Sequence, residues 1–134
     1  MHKAGIPIAP GSLEATTDPK ALAKVAKAAG YPVMLKAAKG GGGRGIRRIA
    51  SEKDLLRAIP LASAEAEKAF GVGTLYVEKA ISPARHVEVQ VLGLADGCVL
   101  HLGERECSLQ RRHQKVLEET PSPALDAATR ASLC

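Results

Sequence analysis

Four consecutive glycines, Gly40 to Gly43, separate two short apolar runs, Val33-Met34-Leu35-Lys36-Ala37 and Gly45-Ile46-Arg47-Arg48-Ile49-Ala50. A run without side chains favours neither helix nor strand but accepts the positive φ angles of a tight reversal, so the spacing predicts strand, loop and return strand. Helix signals flank this unit. Upstream, Asp18 can cap, Pro19 suits the first turn, and Gly30 with Pro32 stops the chain, leaving Leu22, Val25, Ala26 and Ala29 on one face. Downstream, Ser51 and Asp54 give a capping-box pattern ahead of Leu55, Leu56 and Ile59. Pro60 is expected to break or kink this second helix, with helical composition resuming from Ala64 to Phe70. Leu75-Tyr76-Val77-Glu78-Lys79 supplies a third strand. The fold class is α/β, of the mixed α+β kind.

Beyond Ser82-Pro83, a point where one block can pivot against the next, the pattern changes to alternation. Val87, Val89 and Val91 point one way while His86, Glu88 and Gln90 point the other, which predicts a half-buried strand with a polar face. Asp96-Gly97 signals a hairpin, and Val99 to Glu106 is its return strand. The Arg-rich stretch after Cys107 is less regular. Asp126 caps a last helix that meets Cys134 with no stop signal, so the C-terminus reads as cut within an element.

Two Tyr, one Phe and no Trp leave little aromatic mass, so burial rests on Leu, Val and Ile, each worth roughly 1.5–3 kcal/mol when fully buried. The net charge of +5 favours anionic partners, and it is concentrated: five basic residues and no acid lie between Lys36 and Arg48, and four more between Arg105 and Lys115. No aromatic side chain stands near the second cluster to stack on bases, which argues against nucleic acid and for a compact anion. Three cysteines, Cys98, Cys107 and Cys134, have neither paired nor metal-ligand spacing and fit reduced thiols in the cytoplasm. No apolar run is long enough for a signal peptide or a membrane span.

Several residues invite a chemical role, each beside a plainer one. The glycine loop is either a hairpin tip or a flap whose backbone N–H groups approach phosphates; it has the spacing of neither a P-loop nor a dinucleotide fingerprint. Lys36 either snorkels to the surface or projects into a cleft as a point charge for phosphate. The face of His86, Glu88 and Gln90 is a solvated one unless a site covers it. His113 and Lys115 lie within one segment and can jointly meet a phosphate or carboxylate, or belong to a charged surface loop.

Taken in order, Tyr31-Pro32-Val33-Met34-Leu35-Lys36-Ala37, the glycine loop with Arg44 and Gly45, Glu78-Lys79, Arg85 to Val91 and Glu104 to Lys115 resemble the biotin carboxylase family of ATP-grasp enzymes, essentially end to end. The resemblance implies an enzyme that uses MgATP to activate hydrogencarbonate and carboxylates a biotin presented by a carrier protein. It implies an ATP-grasp lid over residues 1–81 and the start of the following ATP-grasp subdomain over 82–134. By the same resemblance Lys36 reaches the nucleotide phosphates, Gly42 and Gly43 belong to the closing lid, and Glu78, Lys79, Ala80 and Ile81 form the segment along the adenine edge. His86, Gln110 and His113 surround ribose and phosphates, and Lys115 binds hydrogencarbonate, with His113 and Lys115 nearest the chemistry.

The sequence departs from the family pattern at Glu106, where Asp is common, at Pro60 inside a lid helix, and at Lys39, where the glycine run often extends. The ligands for magnesium and the contacts to biotin are expected outside these 134 residues, as are the carrier and carboxyltransferase of the parent enzyme, so the segment alone is expected to be inactive. The competing expectation is a nucleotide-binding module without ligase activity.

Overall fold

The computed structural model describes residues 2–134, so Met1 lies outside the described residues. The chain divides into two compact units, Met1–Ser82 and Pro83–Cys134.

In the first unit, β1 (Val33–Ala37) is the centre of a three-stranded antiparallel sheet, flanked by β2 (Ile46–Ile49) and β3 (Leu75–Lys79). The register sets Lys36 against Ile46 on one side and Tyr76 on the other, and Met34 against Glu78. Alternation then does the sorting. Val33, Leu35, Ala37, Leu75 and Val77 are buried on one face, leaving Met34, Lys36, Tyr76 and Glu78 on the opposite face.

The buried face is covered by α1 (Pro19–Ala29) and α2 (Glu52–Phe70). Asp18 caps α1 by accepting from the Lys20 N–H at 2.9 Å, and Gly30 ends it at φ 76°. Ser51 caps α2 through the Asp54 N–H, and Gly71 closes it in the left-handed region. Leu22, Ala23 and Ala26 from α1 and Leu55, Ile59 and Ala66 from α2 complete the core with the strand residues and Ile49. Val25 and Ala29 pack at its margin.

The expected break at Pro60 does not occur: α2 is continuous from Glu52 to Phe70. Proline removes one N–H and frees the carbonyl of Leu56, but both residues lie on the exposed face, where water meets that carbonyl. The turns on either side stay docked through Leu55, Ile59 and Ala66.

The free edge of β3 is covered by residues 10–16, an arrangement with no periodic signal. Ser12 N–H donates to the Val77 carbonyl at 2.7 Å, Thr16 and Leu75 exchange both backbone bonds, and Lys79 N–H donates to Pro10. Gly11 permits this approach, because a Cβ there would stand 2.3 Å from the Val77 carbonyl oxygen.

In the second unit, β4 (Val87–Gly93) and β5 (Val99–Glu106) form the expected hairpin, its turn held by the Asp96 carboxylate accepting from the Cys98 N–H at 2.9 Å. Between the pairs Val89–Glu104 and Val91–His101, β5 carries an extra residue, a bulge at Leu102-Gly103 with Gly103 at φ 85°. Below the bulge, Val87 and Val89 share a face with Glu106 and Glu104, while Glu88 shares the other with Arg105. The polar side chains predicted for one face of β4 are present, but the expected half-buried alternation is not: Val87 to Gln90 are all partly exposed and Val91 is exposed, and the side chains set against Val87 and Val89 are the carboxylates of Glu106 and Glu104.

The segment after Cys107 is more regular than its sequence implies: β6 (Gln110–Arg111) and β7 (Gln114–Lys115) form a tight hairpin. The last helix, α3 (Ala127–Leu133), is capped by Asp126 as expected. It returns Arg130 to the buried Glu104, with a 2.6 Å bond from Nε, and Ser122 donates its N–H to the same carboxylate.

Candidate functional site

The residues singled out in the sequence fall in both units, and within each unit only some of them are brought together. In the first, alternation along β1 and β3 puts Lys36 and Glu78 on the sheet face away from the helices, and the Lys36 ammonium donates to the Glu78 carboxylate. Both side chains are about a quarter exposed, so Lys36 is not a surface lysine with its head in water.

The glycine loop joins β1 to β2. Gly42 and Gly43, at φ 60° and 77°, are the central residues of a turn closed by the Arg44 N–H on the Gly41 carbonyl, and side chains rarely adopt that pair of angles. Nothing stands within 4 Å of where a Cβ on Gly41 or Gly42 would lie, so the tip projects into open space.

The segment Glu78 to Ile81 has most of its groups committed. Lys79 spends its ammonium on the Gly30 and Tyr31 carbonyls at 2.7 and 3.2 Å, a cation at the C-terminal end of α1. The backbone N–H groups of Lys79 and Ala80 donate to Pro10 and Pro32. Ala80 is buried and Ile81 exposed, and among the described residues the Ile81 N–H has no partner.

In the second unit the β6–β7 hairpin pairs Gln110 with Lys115 across the strands. The Gln110 amide bonds His86 Nδ1 and the Cys107 carbonyl, both at 2.9 Å, while His86 Nε2 lies 3.7 Å from Glu88. Lys115 donates to Glu88, and so does Arg105, through Nε at 2.9 Å and through Nη2. These two cations hold the Glu88 carboxyl far below its ordinary range, at about 2, against the opposing effect of desolvation. The same hydrogen bonds raise Lys115 and Arg105. His86, Gln110 and Lys115 are thus brought together.

His113 is not. It sits at the hairpin tip, exposed, with no hydrogen bond among the described residues. Arg112 and His113 both adopt positive φ, 52° and 63°, which the two-residue turn requires and glycine or asparagine would meet at less strain.

Sequence reasoning noted Glu88 and Arg105 without assigning them to the site. The signal available for Glu88 was its position on the polar face of β4; the pairing with Arg105 needs the register of β5, which no local pattern gives. Glu88, Cys107 and Glu118 have ligand atoms within 4.8 Å of one another. Magnesium wants a near-octahedral set of oxygens, whereas this group offers a thiol and carboxylates already matched by Lys115 and Arg105, and Glu78 is matched by Lys36. These residues do not fit a magnesium site.

The whole chain, residues 1–134, matches the family described as carbamoyl-phosphate synthase L chain, ATP binding domain. The chain belongs to this family. It is 48% identical over 133 residues to biotin carboxylase 1 of Bacillus subtilis, covering 99% of this chain and 30% of that protein. It is 48% identical over 131 residues to the biotin carboxylase of Pseudomonas aeruginosa, covering 97% and 29%. Among solved structures, the Campylobacter jejuni biotin carboxylase in complex with β-γ-ATP superposes with a TM-score of 0.93 at 55% identity, covering 98% of this chain and 30% of that one. The biotin carboxylase resemblance read from the motifs therefore holds, and with it the ATP-grasp fold. The chain spans less than a third of the length of these relatives. No helix among the described residues is long and apolar enough to cross a membrane.

Proposed function

We propose that this segment supplies the nucleotide-phosphate and hydrogencarbonate contacts of a cytoplasmic biotin carboxylase. The observation that carries the reading is the convergence of His86, Gln110 and Lys115 on the polar face of β4, built by a strained two-residue hairpin, in a chain alike to biotin carboxylases over nearly its whole length. Lys36 and the turn at Gly42-Gly43 meet the phosphates of ATP, the first as a point charge and the second through backbone N–H groups. Ile81 N–H and the carbonyls of its segment lie along the adenine. Lys115 holds hydrogencarbonate, and His113 reaches the nucleotide from the hairpin tip.

In the proposed reaction an oxygen of hydrogencarbonate attacks the γ-phosphorus of ATP and ADP leaves; the carboxyphosphate formed gives its carboxyl group to a ring nitrogen of a biotin presented by a carrier protein or domain, with phosphate as leaving group and loss of the N–H proton. A carboxyltransferase then consumes the carboxybiotin. Magnesium and biotin are bound by parts of the parent protein outside this chain. Phosphoryl transfer of this kind rests on positioning and neutralisation of charge, which is what lysines at these two places supply.

The test uses the complete carboxylase carrying this segment. Lys36→Met raises KM for ATP at least tenfold, and Lys115→Met raises KM for hydrogencarbonate or abolishes hydrogencarbonate-dependent ATP cleavage. Wild-type values in both variants would refute the assignment. ATP binding without turnover in the unaltered protein would favour a nucleotide-binding module instead.

A further inference from the structure

Four charged side chains of the second unit close a ring. Glu88 accepts hydrogen bonds from Arg105 and Lys115, and Glu118 completes the circuit, 3.5 Å from Arg105 Nε and 3.7 Å from Lys115 Nζ. The signs alternate, but the two carboxylates are unequal. Glu88 is hydrogen-bonded to both cations and 25% exposed; Glu118 is hydrogen-bonded to neither and 40% exposed. Glu88 fixes where the ammonium stands. Glu118 contributes negative charge with little geometric constraint.

An ammonium has three donor directions, and Glu88 takes one at Lys115. A small anion arriving at the remaining directions approaches the charge of Glu118 at close range, and two anions beside one cation repel. We propose that Glu118 is a resident anion of this site: it compensates Lys115 while no substrate anion is bound and competes with hydrogencarbonate for it, so that its charge sets how weakly that substrate binds. The inference rests on the hydrogencarbonate role proposed for Lys115. Glu118 is the member suited to yield, since giving up its contacts breaks no hydrogen bond and returns it to water.

The test is steady-state kinetics of the complete carboxylase carrying Glu118→Gln, with Glu118→Ser as a second variant that removes the charge without adding an amide. KM for hydrogencarbonate falls roughly three- to tenfold in both. KM for ATP and the thermal midpoint stay at wild-type values. An unchanged or raised KM for hydrogencarbonate in a variant with a wild-type thermal midpoint overturns the proposal, a rise meaning that Glu118 positions Lys115 rather than competing at it. If Lys115→Met alone leaves KM for hydrogencarbonate unmoved, the role of Lys115 fails first and this inference falls with it.

Discussion

The two units of this chain are held together by different physics. The first buries a continuous apolar cluster of Leu22, Val33, Leu35, Leu55, Ile59, Leu75, Val77 and their smaller neighbours. In the second, the buried side chains are Cys107, Ser122, Glu104 and Glu106, while Val91, Leu92, Leu94, Val99, Leu100 and Leu102 stand exposed. What organises it is charge: Glu88 between Lys115 and Arg105, and Glu104 holding Arg130 and the Ser122 N–H. The contrast teaches that the proposed anion site is built where apolar packing is thinnest, so the charges that would meet substrate also hold the local fold.

The largest expected effect tests the apolar half. Leu35→Ala removes a fully buried side chain from the central strand and should cost about 2–5 kcal/mol, read from urea unfolding followed on amides of β1, α1 and α2. A cost below about 1 kcal/mol would mean that the first unit does not depend on this cluster.

Acid should act on the second unit. The folded Glu88 carboxyl lies near 2, below its ordinary 4.5, so protonation favours the unfolded chain; Glu104 and Glu106 are lowered too, the first by Arg130 and the second by Ser108. The stability these groups lend is present in full above about 4.5 and is lost as pH falls from there toward 2. Amide protection in β4 and β5 should decline across that window. It should also weaken in 1 M salt, which screens the exposed pairs. The core cluster of the first unit contains no titratable group, so equal decline in β1 and β3 would break the contrast.

A smaller change sharpens it. The Tyr31 hydroxyl is buried without a partner among the described residues, beside the apolar core. Tyr31→Phe should therefore be neutral or stabilise by up to about 1 kcal/mol in the same urea experiment. A loss of more than that would reveal a hydrogen bond to the hydroxyl.

What the sequence disclosed follows the same division. The caps at Asp18 and Ser51, the stop at Gly30 and the β1-loop-β2 hairpin were legible because each is a local signal read at short range. Pro60 misled because its lost bond falls on the solvent side of a helix docked by its other face. The edge cover by residues 10–16 has no periodicity, leaving only the close approach at Gly11, visible in three dimensions. Arg112-His113 carries none of the usual turn residues, so the β6–β7 hairpin was hidden by the strain it tolerates. The pairing of Glu88 with Arg105 depends on register, and Glu118 on where the chain goes after β7.

In the proposed reaction an oxygen of hydrogencarbonate attacks ATP at a site this segment helps to build. Supplying the complete carboxylase with 18O-labelled hydrogencarbonate and ATP, and analysing the released phosphate by mass spectrometry, tests it directly. One hydrogencarbonate oxygen is expected in each phosphate, since the attacking oxygen stays with phosphorus when the activated intermediate gives up its carboxyl group. Phosphate free of label, with oxygen drawn from water instead, would contradict it.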